Sequence, residues 1–313
     1  MIEKPEPTGK IERIVFFGTP EFAVPSLIAL CAAGVRPLLV VSQPARPVGR
    51  GRRIQDPPVA AWAREQGLEV VQPERPRSRS VRESIAALAP DLGVVVAYGE
   101  ILTRQLLAAP RLGFVNVHAS LLPKYRGAAP IQAAIAAGDT VSGVTTMQVE
   151  PGLDSGPALL MREVAIGGRE TSAELAPRLA QAGAELLVET IEGLERGAIE
   201  PRPQNHAEAS YSPRLTRADA RVDWSLPAEA IHNRLRAFTP WPGVVAEFAG
   251  EEIKLLAVDP VERSGDEVPG TVLGTAGESV VVRCGQGTAL SVLSAQRPGR
   301  RPVTGAELAR STT

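Results

Sequence analysis

Leu92-Gly93-Val94-Val95-Val96-Ala97 is the strongest buried-strand signal in the chain, and its surroundings decide the fold. The run is apolar and β-branched, too short for a buried helix, and lies between the helical patterns Val81–Ala89 and Leu102–Ala108. The same alternation extends in both directions. Ile14–Phe17, ending at Gly18, reads as a strand, Phe22–Ala33 as a helix stopped by Gly34, Val35–Val41 as a strand, and Val59–Gln66 as a helix stopped by Gly67. Leu68–Val71, Phe114–His118, Val144–Val149 and Ala158–Ile166 read as strands and Ile131–Ala137 as a helix. Ser172–Arg196 is a long helix with Thr171 or Ser172 as its cap and Gly197 as its stop. Short β-branched runs alternating with helices predict an α/β domain, a mostly parallel Rossmann-like sheet with helices on both faces.

The pattern changes near Pro201. Pro201-Arg202-Pro203-Gln204-Asn205 reads as a linker or stiff crossing segment. One helical pattern follows, Ala228–Ala237, and then strand signals at Val244–Phe248, Ile253–Val258, Thr271–Leu273, Val280–Arg283 and Ala289–Leu293, punctuated by glycines. Such spacing predicts a smaller OB-like β-barrel. The expected organisation is a disordered extension over 1–11, a catalytic domain over 12–200, a linker over 201–210 and the second domain over 211–313, with one helical turn and a tail from Gly305.

Composition excludes several classes. With 313 residues, 44% hydrophobic and 22% charged, the chain has the ordinary globular mix for two domains rather than that of a disordered chain, coiled coil or fibre. Lys and Arg total 34, of which four are Lys, and the net charge of −1 leaves room only for a local basic patch. Cys31 and Cys284 cannot build a disulfide framework or a Cys-rich metal site, and His118, His206 and His232 are too scattered to suggest zinc. Neither a signal-peptide core nor a long uncharged apolar run is present, so a cytoplasmic protein without membrane contact is expected; nothing demands more than a monomer. The first βα turn, Gly18-Thr19-Pro20-Glu21, lacks the G-x-G-x-x-G pattern, no Walker A sequence occurs, and no G-x-S-x-G elbow occurs.

The chemistry concentrates on Phe114–Ala119. With period two, Asn116 and His118 share one face and Val115 and Val117 the other, at the strand end where open α/β sheets place their ligands. Asn116 can donate to a developing oxyanion and His118 can act as general acid or electrostatic partner; the alternative is a hydrogen-bonded pair in the core. The loop Ser120-Leu121-Leu122-Pro123-Lys124-Tyr125-Arg126-Gly127 puts two leucines where loops are usually polar. Its amides and leucines can wall a flat heterocycle, or the leucines can plug the sheet. Asp154, in the turn Gly152–Gly156, is either a partner that orients His118 or the acid of a plain Asx turn.

The string Asn116-Val117-His118-Ala119-Ser120-Leu121-Leu122-Pro123, with Asp154 downstream, resembles the formyltransferase family that uses 10-formyltetrahydrofolate. More of the chain is similar to the branch whose acceptor is methionyl initiator tRNA: Phe17–Ala23, Gln43-Pro44, Arg46-Pro47, Gly49-Arg50-Gly51, Val96-Ala97-Tyr98-Gly99, Arg126–Gln132, Gly143-Val144-Thr145, Asp223-Trp224, Arg236-Ala237-Phe238 and Pro240–Gly243. The chain departs from it at Ala45, where the family often has Asp, and at Arg52 and Arg53, where it often has Lys.

The resemblance implies Asn116, His118 and Asp154 as catalytic residues and no metal. It implies folate binding by Ser120, Leu121, Leu122, Pro123, Ala97, Tyr98 and Gly99. It also implies tRNA binding by Arg46, Arg50, Arg52 and Arg53, in a stretch with no acid before Asp56. The second domain is nearly neutral, with 12 Lys and Arg against 13 Asp and Glu from Glu208 onward; Arg297, Arg300 and Arg301, or Arg214, Arg217 and Arg221, could form a one-sided stripe. Three rival readings stay open at this point: a formyltransferase acting on a sugar amine, a hydrolase using Ser120, and a non-catalytic RNA-binding protein.

Overall fold

The computed structural model describes residues 8–49, 51–248 and 250–310. The chain divides into two compact units. The first is built from the residues up to Pro130, Val141–Ala165 and Ala176–Ser212, the second from Ile131–Thr140, Ile166–Leu175 and the chain from Pro213 onward.

The strands of the first unit are, in chain order, β1 (Ile14–Gly18), β2 (Leu39–Val41), β3 (Arg46–Val48), β4 (Arg53–Gln55), β5 (Val70–Val71), β6 (Leu92–Val96), β7 (Phe114–His118), β8 (Arg126–Gly127), β9 (Val141–Gln148), β10 (Ala158–Ala165) and β11 (Tyr211–Ser212). Its helices are α1 (Val24–Ala32), α2 (Pro58–Glu65), α3 (Arg79–Ala87) and α4 (Arg104–Leu107). Helices α5 (Pro130–Ala136) and α6 (Ser172–Glu195) run across the division between the units. The main sheet has the order β10-β9-β7-β6-β1-β2-β5. The five strands from β7 to β5 are parallel; β9 is antiparallel to β7, and β10 to β9.

Period-two alternation divides the core into two layers. Ile14, Phe16, Val94, Val96, Val115 and Val117 pack with Leu27 and Leu30 of α1, Val59 of α2 and Leu187 and Ile191 of α6. On the opposite face Val15, Phe17 and Phe114 pack with Ile85 of α3 and Leu106 of α4. Phe17 meets Tyr98 and Phe114 edge-on, with ring centroids 5.3 and 5.4 Å apart. A Cβ at Gly93 would lie 2.2 Å from the Phe114 ring, which accounts for a glycine inside the strongest strand signal. Because β2 and β6 leave β1 on opposite sides, the strand order reverses between β1 and β6, and the crevice of an open α/β sheet opens at their C-terminal ends.

The second unit contains α7 (Ala228–Phe238), β12 (Val244–Phe248), β13 (Glu251–Val261), β14 (Val272–Ala276), β15 (Ser279–Arg283), β16 (Ala289–Gln296), β17 (Pro302–Thr304) and α8 (Gly305–Arg310). The antiparallel ladder runs β12-β13-β16-β15-β14, with β17 on β16. The eleven-residue β13 pairs with β12 over Glu251–Leu255 and with β16 over Lys254–Val261, where two register shifts bend it. No hydrogen bonding joins β12 to β14 among the described residues, which is the partly open form of such a sheet.

Four sequence readings change. The stretch 43–58, which carries no strand or helix signal, contains the β3–β4 hairpin, with Arg46 opposite Gln55 and Val48 opposite Arg53. Its strands lack the apolar alternation that signals a half-buried pair, because the hairpin is exposed. The strand read from Val35 begins at Leu39, after Pro37, which has no N–H to donate. Ile11, placed in the N-terminal extension, is 1% exposed and joins the core; residues 1–7 of that extension lie outside the described residues. The segment 201–210, read as a linker, is bonded into the first unit: Arg202 exchanges two backbone hydrogen bonds with Ala158, and Gln204 is buried. Among the described residues no helix is long and apolar enough to cross a membrane.

A candidate active site at the end of strand β7

Strand β7 lies between β6 and β9 and delivers Asn116 and His118 to its C-terminal end. His118 is 6% exposed, whereas Asn116 is half-buried. The Asn116 amide makes no hydrogen bond to any described residue. Its N–H groups are therefore not committed to another described residue.

The ring of His118 is fixed from two sides. Its Nε2 is 3.0 Å from the Tyr125 carbonyl oxygen, and since a carbonyl can only accept, Nε2 carries the hydrogen. Its Nδ1 is 3.7 Å from Asp154 Oδ2, an ion-pair distance too long for a direct hydrogen bond. Asp154 stands in the turn between β9 and β10 with φ 47°, a left-handed conformation that L residues seldom adopt. Its Oδ2 accepts the backbone N–H of Gly127 at 2.8 Å. Gly127 itself has φ 118°, and a Cβ there would lie 2.5 Å from the Ser212 carbonyl oxygen of β11. Glycine is therefore required where the loop closes on the acid.

The loop from Ser120 to Gly127 is knitted to its surroundings. Ser120 Oγ donates to the Lys124 carbonyl at 2.6 Å. Thr145 Oγ1 of β9 donates to the Ser120 carbonyl at 2.7 Å and accepts from Leu122 N at 3.1 Å. Tyr125 N donates to Ser210 Oγ at 2.9 Å, and Ser212 Oγ donates to the carbonyls of Tyr125 and Arg126.

The residues expected to hold folate fall into two sets. Ser120 is fully buried with its hydroxyl bonded inside the loop, an arrangement unlike that of an exposed nucleophile. Leu122 is 3% exposed and acts as the plug, whereas Leu121, half-buried, packs over Gly143, where a Cβ would come within 2.5 Å of it. Pro123 is half-buried. In the other set, Ala97 and Gly99 are exposed with φ of 46° and 84°. The ring of Tyr98 is buried in the core, which pushes its hydroxyl up to about 12. The Tyr98 carbonyl is held by Thr19 Oγ1 at 2.9 Å and Gln43 Nε2 at 3.0 Å, so this turn offers backbone rather than a phenol.

Arg46, Arg52 and Arg53 are exposed on the hairpin, and their side chains make no hydrogen bond or ion pair with a described residue. Arg50 lies outside the described residues. The structure thus brings Asn116, His118, Asp154 and the 120–127 loop together and leaves the arginines apart from that bonded network. Sequence reading missed three members of the network: Arg126, Gln204 and His206. Arg126 Nε and Nη2 donate to Gln204 Oε1, and Nη1 donates to His206 Nδ1. Arg126 was visible inside a motif, but its burial was not; Gln204 lay in a proline-rich stretch whose composition suggests a spacer.

Two family profiles match the chain, that of formyl transferase over residues 12–191 and that of the formyl transferase C-terminal domain over residues 214–313. The chain belongs to the formyl transferase family, a family of enzymes, with both of its characteristic domains. Within it, the chain is similar to methionyl-tRNA formyltransferase of Chloroflexus aurantiacus, 45% identical over 294 residues that cover 94% of each protein. It is likewise similar to methionyl-tRNA formyltransferase of Acidobacterium capsulatum, 47% identical over 295 residues covering 93% of this chain and 94% of that one. Among solved structures it resembles the N-formyltransferase from Helicobacter canadensis in complex with folinic acid and dTDP-3-aminofucose, with a TM-score of 0.66, 16% identity and coverage of 92% and 99%. It also resembles HypX from Aquifex aeolicus in complex with tetrahydrofolic acid, with a TM-score of 0.58, 19% identity and coverage of 96% of this chain and 47% of that one. These two likenesses concern the fold.

Proposed function

We propose that the protein transfers the formyl group of 10-formyltetrahydrofolate to the free α-amino group of methionyl initiator tRNA, giving N-formylmethionyl-tRNA. The observation that carries this reading is the unpartnered Asn116 amide beside the His118–Asp154 pair, in a chain whose relatives of matching length bear the name of that activity.

The methionyl amine attacks the formyl carbon, a C–N bond forms, and the carbonyl oxygen becomes an oxyanion. Asn116 donates to that oxygen. His118 places a ring beside it whose charge, once protonated, Asp154 offsets. Collapse breaks the bond between carbon and N10; the amine has lost a proton and N10 must gain one. His118 Nδ1, the ring nitrogen not engaged by Tyr125, is the group suited to accept the first and return the second.

The folate heterocycle lies against the exposed turn at Ala97 and Gly99 and against the half-buried Leu121 and Pro123 of the 120–123 loop. The tRNA meets the hairpin arginines, whose charges are free for phosphate. In the second unit, Arg297, Arg300 and Arg301 line one recess of about 560 Å³, which favours that cluster as a further phosphate contact.

The test is direct. Purified protein is mixed with formyl-labelled 10-formyltetrahydrofolate and methionyl initiator tRNA, and label is followed into RNA, with His118→Ala as control. Transfer that disappears in the variant is expected. A folded protein that binds the folate donor but leaves the tRNA unlabelled would remove the tRNA acceptor and make amino sugars the next acceptors to test.

A further inference from the structure

Arg126 is a buried guanidinium with no counter-ion among the described residues. It is 2% exposed, and no carboxylate of a described residue lies within ion-pair distance. A buried charge surrounded by neutral partners is costly, so its geometry is informative. Two of its donors, Nε and Nη2, converge on the single oxygen Oε1 of Gln204, at 3.0 and 2.7 Å. That fork fixes which end of the Gln204 amide faces inward, because a flipped amide would present N–H groups to a cation. With Oε1 committed, Nε2 donates to the carbonyls of Asp154, at 2.9 Å, and Gly156, at 2.7 Å. Both carbonyls belong to the turn that keeps Asp154 left-handed. The residue after Arg126 is Gly127, whose N–H binds the Asp154 carboxylate. The backbone of the turn and the side chain of its acid are therefore both tied to the Arg126-Gly127 dipeptide, once through Gln204 and once directly.

We infer that Arg126 and Gln204 are positioning residues for Asp154: Arg126 orients the Gln204 amide, and Gln204 holds the left-handed turn that aims the carboxylate at His118. This inference rests on the role given to Asp154 in the proposed reaction. His206 Nδ1, 3.2 Å from Arg126 Nη1, occupies the last arm of the guanidinium and keeps it from turning.

Gln204→Glu tests the claim without emptying the site. The carboxylate still accepts from Arg126, but it cannot donate to the two carbonyls. A fall in kcat of about 10- to 100-fold is expected, the usual scale for a reacting group displaced by about an ångström. KM for both substrates should stay within about threefold, and the thermal midpoint should not fall. A kcat within about twofold of wild type, or a loss confined to KM, overturns the inference. Arg126→Lys keeps the charge and loses the fork, and it should also lower kcat; wild-type kcat would show that charge and not orientation matters, against the inference. The third readout needs no substrate: amide hydrogen exchange over residues 152–157 should be faster in Gln204→Glu, and unchanged protection counts against the claim. If wild-type protein fails to formylate methionyl-tRNA, the functional reading falls on that result, and the exchange experiment alone decides the positioning claim.

Discussion

The end of β7 and the β3–β4 hairpin both gather polar side chains on short elements, and they use them in opposite ways. Around β7 the polar groups bond one another: His118 to Tyr125, Asp154 to Gly127, Ser120 to Lys124, Thr145 to Ser120 and Leu122. Among the described residues the Asn116 amide is left without a hydrogen bond, and His118 Nδ1 faces Asp154 only at 3.7 Å. On the hairpin the side chains of Arg46, Arg52 and Arg53 have no partner among the described residues, and Ile54 is 75% exposed. The first region is organised before any ligand arrives, as electrostatic stabilisation of a transient charge requires. The second offers exposed charge with no fixed partner, the kind of surface that phosphate contacts use.

The largest effect expected from this contrast is at Asn116. Asn116→Ala removes the open donor and disturbs no existing bond, so the transfer rate should fall roughly 10²- to 10³-fold with folding intact. Steady-state kinetics with a thermal melt checks both halves. A rate within a few-fold of wild type would mean that the oxyanion is stabilised elsewhere.

A pair of glycine substitutions sharpens the comparison. At Gly127 a Cβ meets a backbone carbonyl at 2.5 Å and φ is 118°, so Gly127→Ala must move the loop or β11; about 2–3 kcal/mol of destabilisation and a lower kcat are expected. At Gly49, on the hairpin, φ is 70° but nothing lies within 4 Å. Gly49→Ala should carry only local strain of about 1 kcal/mol and leave kcat alone. Urea unfolding and kinetics of the two variants distinguish these outcomes. Equal effects would show that the hairpin is as tightly built as the site.

The hairpin arginines give the next effect. Arg52→Ala with Arg53→Ala should weaken tRNA binding about tenfold at low salt and lower the slope of log K against log salt by about one for each phosphate contact removed. Turnover at saturating tRNA should persist. An unchanged salt slope would place the RNA contacts elsewhere.

How far the sequence could be read follows the same division. β6 and β7 were legible because burial on both faces forces apolar runs, and Asn116 and His118 stood out because they interrupt one of those runs at its end. The hairpin was not, because an exposed two-stranded ribbon has no hydrophobic period to reveal it. Gln204 was hidden for another reason: its role depends on the fold bringing it 78 residues back to Arg126, and no local pattern encodes a contact of that range. Leu122 was read both as a wall and as a plug, and only its burial in the structure decides for the plug.

His118 has a counterpart in the second unit that brings out what the site adds to a buried histidine. His232 on α7 is 9% exposed, close to the 6% of His118; its Nδ1 has no hydrogen-bond partner among the described residues and Glu229 lies 4.0 Å away, whereas the ring of His118 is held through Nε2 by the Tyr125 carbonyl. Burial pushes its pKa below the ordinary 6.5, and the Arg236 guanidinium pushes the same way, followed more weakly by Arg169; Glu229 and Asp259 pull upward without reversing the shift. The unfolded chain then binds a proton that the folded one resists, so stability is lost as pH falls from about 6.5 towards the lower folded value, and loss is complete below it. His232→Gln should flatten that part of the pH dependence and leave formyl transfer at neutral pH unchanged. Urea midpoints of wild type and variant at about pH 7.5 and about pH 5.5 measure it. The same drop in both proteins would show that His232 is not the group responsible, and that burial without a partner is tolerated there at no titratable cost.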